Sequence, residues 1–416
     1  MPDRESRLLG RMEGLTVPTA VVLPGGRRLG AVDARLTLTL QSPQPVLHLA
    51  AGAIGRLAED YVEGRLDVGG SMRDLMSVAS QVVGTDPLQD ATSASRWWAQ
   101  LWRLPKSRRR HSREADAQQV QRHYDVSDDF YALWLDPKRV YSCAYFAQPG
   151  MTLGQAQDAK LEHVCRKLML KPGERFLDIG AGWGGLLLWA AQHHGVDATG
   201  ITLSRNQHAH VTRLIEAQGL SARVRVHLLD YRDLPEDRPF DKIASIGMFE
   251  HVGRARLPGY FAKIQRLLRP GGLLMNHGIT AGGTRHAQLG AGIGDFIERY
   301  IFPGGELLHH AHVLKVMAEA QLEALDVETL RPHYARTLWA WSDALEGTLD
   351  AARAITSEKV VRAYRLYLAG SAMAFERGWL SLHQMLAARP SGRVDDGPVS
   401  GAQSDYPFQR AYIYRP

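Results

Sequence analysis

The stretch LDIGAGWGG, residues 177–185, completes the short apolar run RFLDI and leads into GLLLWAAQHH. A short apolar run of this kind reads as a buried strand, and the longer segment after it as a helix. A glycine-rich turn between strand and helix lets backbone approach a ligand closely, because Gly180, Gly182 and Gly184 carry no Cβ. The free N–H groups and partial positive charge of the helix start hold a phosphate or a carboxylate equally well. The turn therefore predicts a nucleotide-type cofactor. Its spacing, G-x-G-x-G-G, matches the dinucleotide pattern only loosely. A nicotinamide site also places an acid about 20 residues on, to hold ribose hydroxyls. That place is GITLSRNQ, residues 200–207, which has no Asp or Glu. The hydroxyls would fall to Thr202, Ser204 or Gln207.

Outward from the turn, strands alternate with helices from about 160 to 280. ATGIT, VRVHLL, DKIASIGM and GLLMNHGI read as strands. SRNQHAHVTRLIEAQG and FAKIQRLLRPGG read as helices, the second closed by Pro270 and Gly271. The alternation predicts an α/β, Rossmann-like domain, a parallel sheet with helices on both faces. The segment beyond about 285 reads as mostly helical, with many aromatics.

Upstream, residues 1–104 read as a small α+β domain, for lipid binding or for dimerisation. It has strands around VPTAVVLP and ARLTLTL, a turn at Gly25–Gly26, and a helix from Gly52 to about Glu63. A second helix lies in SMRDLMSVASQVVG, with Met72, Leu75, Met76 and Ala79 on one face. A basic linker, 105–120, contains the whole of KSRRRHSREADAQQ. It is either a solvated connection or a contact with anionic lipid head groups, each basic residue contributing roughly 1 kcal/mol near such a surface. Residues 121–416 form the domain that holds the glycine turn. Trp97, Trp98 and Trp102 read as core or interface residues.

The 416 residues exceed one ordinary domain, and 45% hydrophobic against 23% charged residues argues for a packed core rather than disorder. A net charge of +6 fits an anionic partner, nucleic acid or membrane surface, without choosing between them. Two cysteines, Cys143 and Cys165, cannot build a disulfide framework and fit a reducing cytosol. The amino-terminal residues show no apolar signal core. The most apolar stretch, VLHLAAGAIGRLA from Val46, carries His48 and Arg56 and is too short to span a bilayer. The expectation is a cytoplasmic protein that meets a membrane from its inner face.

LDIGAGWGG, GITLSRNQ, DYRDL (230–234) and GMFEHVG (247–253), in this order, resemble the cyclopropane-fatty-acyl-phospholipid synthase family, relatives of the mycolic acid cyclopropane synthases. HYDVSDDFYALWLDP (123–137), YSCAYF (141–146), ERYIFPGGEL (298–307) and HYARTLWAW (333–341) look like the same family. The resemblance covers about 120–380 and extends more weakly through YVEGRLDVGG (61–70). Mycolic-acid-modifying relatives generally lack such an amino-terminal domain, so its presence favours the phospholipid-acting branch.

The resemblance implies a class I methyltransferase domain with helical carboxy-terminal additions, using S-adenosylmethionine to methylate a cis double bond of a phospholipid acyl chain. The methyl carbon then closes a cyclopropane ring. Tyr141 and Ser142 would reach the methionine end of the cofactor, with Asp178 and the Gly180–Gly185 turn around it. Thr202, Leu203 and Gln207 would meet the ribose, and Tyr231 and Arg232 the adenine side. A bound bicarbonate would be the base, held by Glu250, His277, Tyr334 and Cys143. Partners would be unsaturated phospholipid and an anionic membrane surface, with no nucleic acid and a possible homodimer.

The chemistry fits those residue types. Methyl transfer to an alkene leaves a carbocation, so the site must stabilise positive charge, place a base and exclude water. Aromatic faces contribute roughly 2 kcal/mol to a desolvated cation. A positioned base contributes about 10²–10⁴-fold. Glu250 and His277 sit at strand ends, where α/β sheets place ligands. A carboxylate beside bicarbonate repels it unless one of the two holds a proton. The sequence departs from the family pattern at Ser371, where a cysteine is frequent. On a helix Ser371 shares a face with Tyr364, Tyr367, Leu368 and Phe375. Serine cannot be a thiolate, which argues against a required nucleophile there. The plainer readings are a helix start for Glu250–His251, a strand-end histidine for His277, a small core residue for Cys143 and a packed aromatic for Tyr334. Other outcomes for the whole chain are a methyl-branched or methylene product, a catalytically weak lipid-binding homologue, or a small-molecule methyltransferase.

Overall fold

The computed structural model describes residues 10, 12, 14–83, 128–283, 296, 299–300, 306–391 and 409–414. The basic linker, Trp97, Trp98 and Trp102, and parts of the HYDV and ERYIF motifs lie outside these. In chain order the elements begin with β1 (Thr19–Val22), β2 (Arg28–Gly30), β3 (Leu36–Leu40), α1 (Pro43–Ala51), α2 (Ile54–Val62), β4 (Leu66–Gly69) and α3 (Met72–Val83). There follow α4 (Asp128–Ala132), α5 (Leu153–Lys167), β5 (Arg175–Ile179), α6 (Gly185–His194), β6 (Asp197–Thr202), α7 (Arg205–Ala217), β7 (Val224–Leu228) and β8 (Phe240–Ile246). Then come α8 (Leu257–Leu267), β9 (Leu268–Ala281), α9 (His310–Glu319), β10 (Glu323–Thr329), α10 (Arg331–Glu346), α11 (Leu349–Ile355), α12 (Glu358–Glu376), β11 (Leu380–Ala388) and α13 (Ala411–Tyr414).

The chain forms two compact units. The first takes described residues within 1–94, 287–303 and 338–379. Its sheet has the order β2-β1-β3-β4, with β1 parallel to β3 and the other pairs antiparallel. Leu36, Leu38 and Leu40 are buried and alternate with the half-buried Thr37 and Thr39, a sheet with one covered face. The Gly25–Gly26 turn joins β1 to β2. Helix α12 packs on α2 and α3. Arg362 donates to the carbonyls of Tyr61 (3.0 Å) and Leu66 (3.3 Å) and to Asp67 (2.6 Å), while Arg365 grips Glu346 through two nitrogens at 2.6 and 2.8 Å.

The helix expected from Gly52 differs. Gly52 adopts φ 67° and caps a preceding helix, α1, and α2 begins at Ile54. Pro43 and Pro45 fall in the first turn of α1, where proline is tolerated because the N–H groups there lack partners anyway.

The second unit is built on a seven-stranded sheet, β10-β11-β9-β8-β5-β6-β7. From β9 to β7 all neighbours are parallel, and β11 and β10 add antiparallel. Strand β5 is buried from Phe176 through Ile179 because helices cover both faces. Its neighbours β6 and β8 leave on opposite sides, so the chain diverges at its carboxyl end, where such sheets open a crevice.

Two expectations change in this unit. Helix α8 ends at Leu267, and Pro270 and Gly271 fall inside the start of β9. The later chain is mostly helical, as expected, but it also supplies two strands the sequence did not reveal, β10 and β11, which complete the sheet. SLHQMLAA places Leu382, Met385 and Leu386 at helical spacing, yet it pairs along its whole length with β9 and is buried on both sides. A strand covered on both faces loses the two-residue alternation that would reveal it.

Candidate active site

The glycine turn sits at the divergence of β5. Gly180 and Ala181 both donate to the carbonyl of Ile201, at 3.0 and 2.9 Å, which ties the turn to the end of β6. Gly180, Gly182 and Gly184 have φ of 83°, 55° and 88°, where side chains are strained. Gly184 then caps α6, and a Cβ there would press on Val211 at 3.0 Å.

Over this turn lies a cleft with an empty volume of about 1250 Å³, its open mouth included. Asp178, Gly180 and Gly182 line it from β5 and the turn. Thr202, Leu203 and Gln207 line it from the end of β6 and the start of α7, and Tyr231 and Arg232 from the loop after β7. Tyr141 and Ser142 close it from the segment before α5. Gly184 and Ser204 are the expected cofactor residues that do not line it. The turn after β6 is tied internally: Thr202 Oγ1 donates to Gln207 Oε1 at 2.7 Å, and Ser204 accepts from Gln207 N as helix cap. Tyr141 packs against Tyr131 and Trp134 with ring centroids 5.5 and 5.4 Å apart. Burial lifts Asp178 to about 7, opposed by the nearby Lys160 ammonium.

Glu250 lies in a single 3-10 turn, Phe249–His251, after β8. Its Oε1 accepts from Ile279 N at 2.6 Å, and its Oε2 is buried without a hydrogen-bond partner. Burial raises its carboxyl to about 7, the two backbone hydrogen bonds opposing. Gly278 makes this seat possible, because a Cβ there would clash with the Phe249 ring and stand 2.7 Å from Glu250 Oε1.

His277 is buried on β9, directly across from Gln384 on β11. Gln384 Nε2 donates to His277 Nδ1 at 3.2 Å, which leaves the ring proton on Nε2. That Nε2 is buried with no acceptor. Burial first, then the charges of Lys160 and Lys167, hold the imidazole well below its usual range, so it is neutral. The adjacent Asn276 is fully buried with neither amide atom paired.

Cys143 donates from Sγ to the Ala144 carbonyl at 3.2 Å and approaches that of Leu330 at 3.9 Å. The same Leu330 carbonyl accepts from Tyr334 N at 3.0 Å, which holds the start of α10 close to Cys143. Burial pushes the thiol far up, so it is protonated at neutral pH and acts as a donor. Ser371 lies on α12 in the first unit and is buried there. Glu250, His277, Cys143 and Tyr334 all belong to the second unit.

Sequence reasoning missed Lys160 and Gln157. Both are nearly fully buried on α5, at 2% and 0% exposure. Their signal was present: two long polar residues three apart, on the face of LGQAQDAKLEHVCRK that also carries Leu161 and Val164. It also missed the cleft-lining Trp183, His251 and Asp230.

A doubly wound sheet with a glycine turn at its switch point and helices on both faces defines the Rossmann-like fold of class I methyltransferases. Within that class the chain belongs to the mycolic acid cyclopropane synthetase family, whose model matches residues 111–385. A "Probable fatty acid methyltransferase" of Pseudomonas putida is 42% identical over 408 residues, 97% of this chain and 98% of its own. Cyclopropane mycolic acid synthase 1 of Mycobacterium tuberculosis is 39% identical over 273 residues, 64% of this chain and 94% of its own. Among solved structures, the cyclopropane synthase MmaA2 from Mycobacterium tuberculosis superposes with a TM-score of 0.63 at 38% identity, covering 65% of this chain and 98% of its own. The mycolic acid cyclopropane synthase CmaA1 complexed with SAH and CTAB gives 0.62 at 38%, covering 65% and 98%.

Proposed function

We propose that the protein transfers a methyl group from S-adenosylmethionine to a cis double bond of an unsaturated phospholipid acyl chain and closes a cyclopropane ring. The observation that carries this is a set of buried polar atoms without partners, Glu250 Oε2 and His277 Nε2, in a chain whose glycine-turn cleft has the class I form. Support for the methyl donor comes from the CmaA1 structure, complexed with SAH. Support for an acyl acceptor comes from the two named activities of the relatives, on fatty acids and on mycolic acids.

When bound, S-adenosylmethionine supplies an electrophilic methyl on a sulfonium. The chain's residues would do the rest. Asp178 would face its ammonium, and Thr202 and Gln207 its ribose. Tyr141, held by Tyr131 and Trp134, would present an aromatic face to developing positive charge. A bicarbonate would give the orphaned atoms partners: neutral His277 would donate from Nε2, and Glu250, half-protonated near neutral pH, would offer a carboxyl proton rather than a second full negative charge. It would supply the base that removes a proton from the transferred methyl. Cys143 would serve as a neutral hydrogen-bond donor.

A second reading keeps the methyl transfer and ends in a methyl-branched or methylene chain. The name of the relative matched along its whole length favours it, since that name specifies a fatty acid methyltransferase and no ring. Incubation with labelled S-adenosylmethionine and vesicles of unsaturated phospholipid, followed by mass and NMR of the acyl products, decides. Cyclopropane methylene signals are expected. An alkene-bearing branched chain supports the second reading, and absence of any methylated lipid overturns both. Among the described residues no helix is long and apolar enough to cross a membrane. We place the acceptor bilayer at the protein's surface, on the cytoplasmic face. A vesicle-flotation assay with anionic and neutral lipids tests that placement, with binding expected only to the anionic vesicles.

A further inference from the structure

Helix α5 turns two long polar side chains inward. Gln157 Nε2 donates to the carbonyls of Val140 (3.1 Å) and Ser142 (2.9 Å), and Lys160 Nζ donates to Ser142 Oγ (2.9 Å). The loop before α5 is fixed from its other end by Asp136, whose carboxylate accepts from the backbone N–H of Lys138 (2.9 Å) and Val140 (2.8 Å). Lys160 and Asp178 are each only 2% exposed, and both line the cleft. A buried ammonium is costly unless its three donors and its charge find partners. Ser142 Oγ is neutral and takes one of them. A buried cation set beside a buried acid in one cleft wall is the complement of a group that carries both charges on one carbon.

Building on the S-adenosylmethionine reading above, we infer that Lys160 binds the α-carboxylate of the methyl donor, beside Asp178, which faces its α-ammonium. The pair thus selects a ligand ending in an intact amino acid. A dinucleotide pyrophosphate would gain Lys160 but meet Asp178 as a like charge. Burial lowers Lys160 to about 8, which leaves the ammonium charged at neutral pH. The competing role is mechanical: Lys160 would only pin Ser142, and the ligand would never touch it.

Calorimetry on the full chain separates the two, with S-adenosylhomocysteine and its decarboxylated analogue as probes. A charge-assisted hydrogen bond corresponds to about a tenfold or larger change in affinity. The wild-type protein is expected to bind S-adenosylhomocysteine at least about tenfold more tightly than the analogue. Lys160→Met is expected to weaken only S-adenosylhomocysteine and so close the gap. Ser142→Ala is expected to preserve it. Equal affinity of the two probes for the wild type overturns the assignment without any variant. So does a Lys160→Met protein that loses both probes in parallel, or a Ser142→Ala protein whose gap closes as well. Failure of S-adenosylhomocysteine itself to bind the wild type overturns the cofactor reading, and this inference with it.

Discussion

Glu250 concentrates the conflict between folding and chemistry. Burial raises its carboxyl from 4.5 to about 7. Between those values the folded chain holds a proton that the unfolded chain has released, so this group lowers stability as pH rises through that window. Glu250→Gln removes the effect while an amide oxygen can still accept from Ile279 N. We expect that variant to match wild-type stability near pH 4 and to exceed it at pH 8 by up to roughly 3 kcal/mol. Its turnover should fall by about 10²–10⁴-fold with cofactor affinity retained. Denaturant melts at the two pH values and a kinetic assay check both, and a pH-independent difference contradicts the burial account. Cys143 carries a different prediction. Its thiol is buried, protonated and hydrogen-bonded to carbonyls, so iodoacetamide at pH 8 should leave activity intact, and Cys143→Ser should retain most of it. Rapid inactivation by the reagent contradicts a donor-only role.

At the scale of elements, the site depends on how closely the 3-10 turn after β8 approaches β9. Gly278→Ala places a methyl against Phe249 and Glu250 Oε1. Overpacking of this kind costs typically about 1–3 kcal/mol. A displaced carboxylate should lower kcat about 100-fold. Because the glycine turn itself lies at the end of β5, away from this contact, KM for S-adenosylmethionine should change less than kcat, and steady-state kinetics shows whether the two parameters separate. The strand-turn-helix of residues 175–194 was legible in sequence because apolar strand, three glycines and helix each carry their own signal. Thr202, Gln207 and Tyr231 followed from the motif order. Gly278 and Gln384 were not legible, since each matters only through a partner on another element, Phe249 for one and His277 for the other. Lys160 stayed hidden for a related reason: a helix lysine reads as solvent-facing unless the element covering it is known. Strand β11 was hidden by its own burial.

At the scale of the molecule, residues 338–379 fold with the amino-terminal ones rather than with the seven-stranded sheet. Helix α12 buries Val361, Tyr364, Leu368, Ala372 and Phe375, and its Arg362 is anchored on the chain around β4. Full burial of each large apolar side chain contributes about 1.5–3 kcal/mol. Removal of residues 1–94 should therefore unfold α12 locally, although relatives matched over only 64% of this chain exist as whole proteins. Hydrogen exchange on the truncated protein should show amides of 358–376 unprotected while those of 175–179 remain slow. Unchanged protection in α12 contradicts the two-unit partition.

The unpaired atoms of Glu250, Asn276, His277 and Gln384 also have a consequence for anyone who evolves this protein in the laboratory. Each buried polar group without a partner lowers stability by about 1–3 kcal/mol, so apolar replacements that orphan nothing else, at Asn276 or at His277 and Gln384 together, should raise the melting temperature. A library selected for heat resistance alone would converge on them and return robust, inert protein. The positions where such a screen enriches leucine or methionine would outline the reaction chamber, with no substrate in the assay.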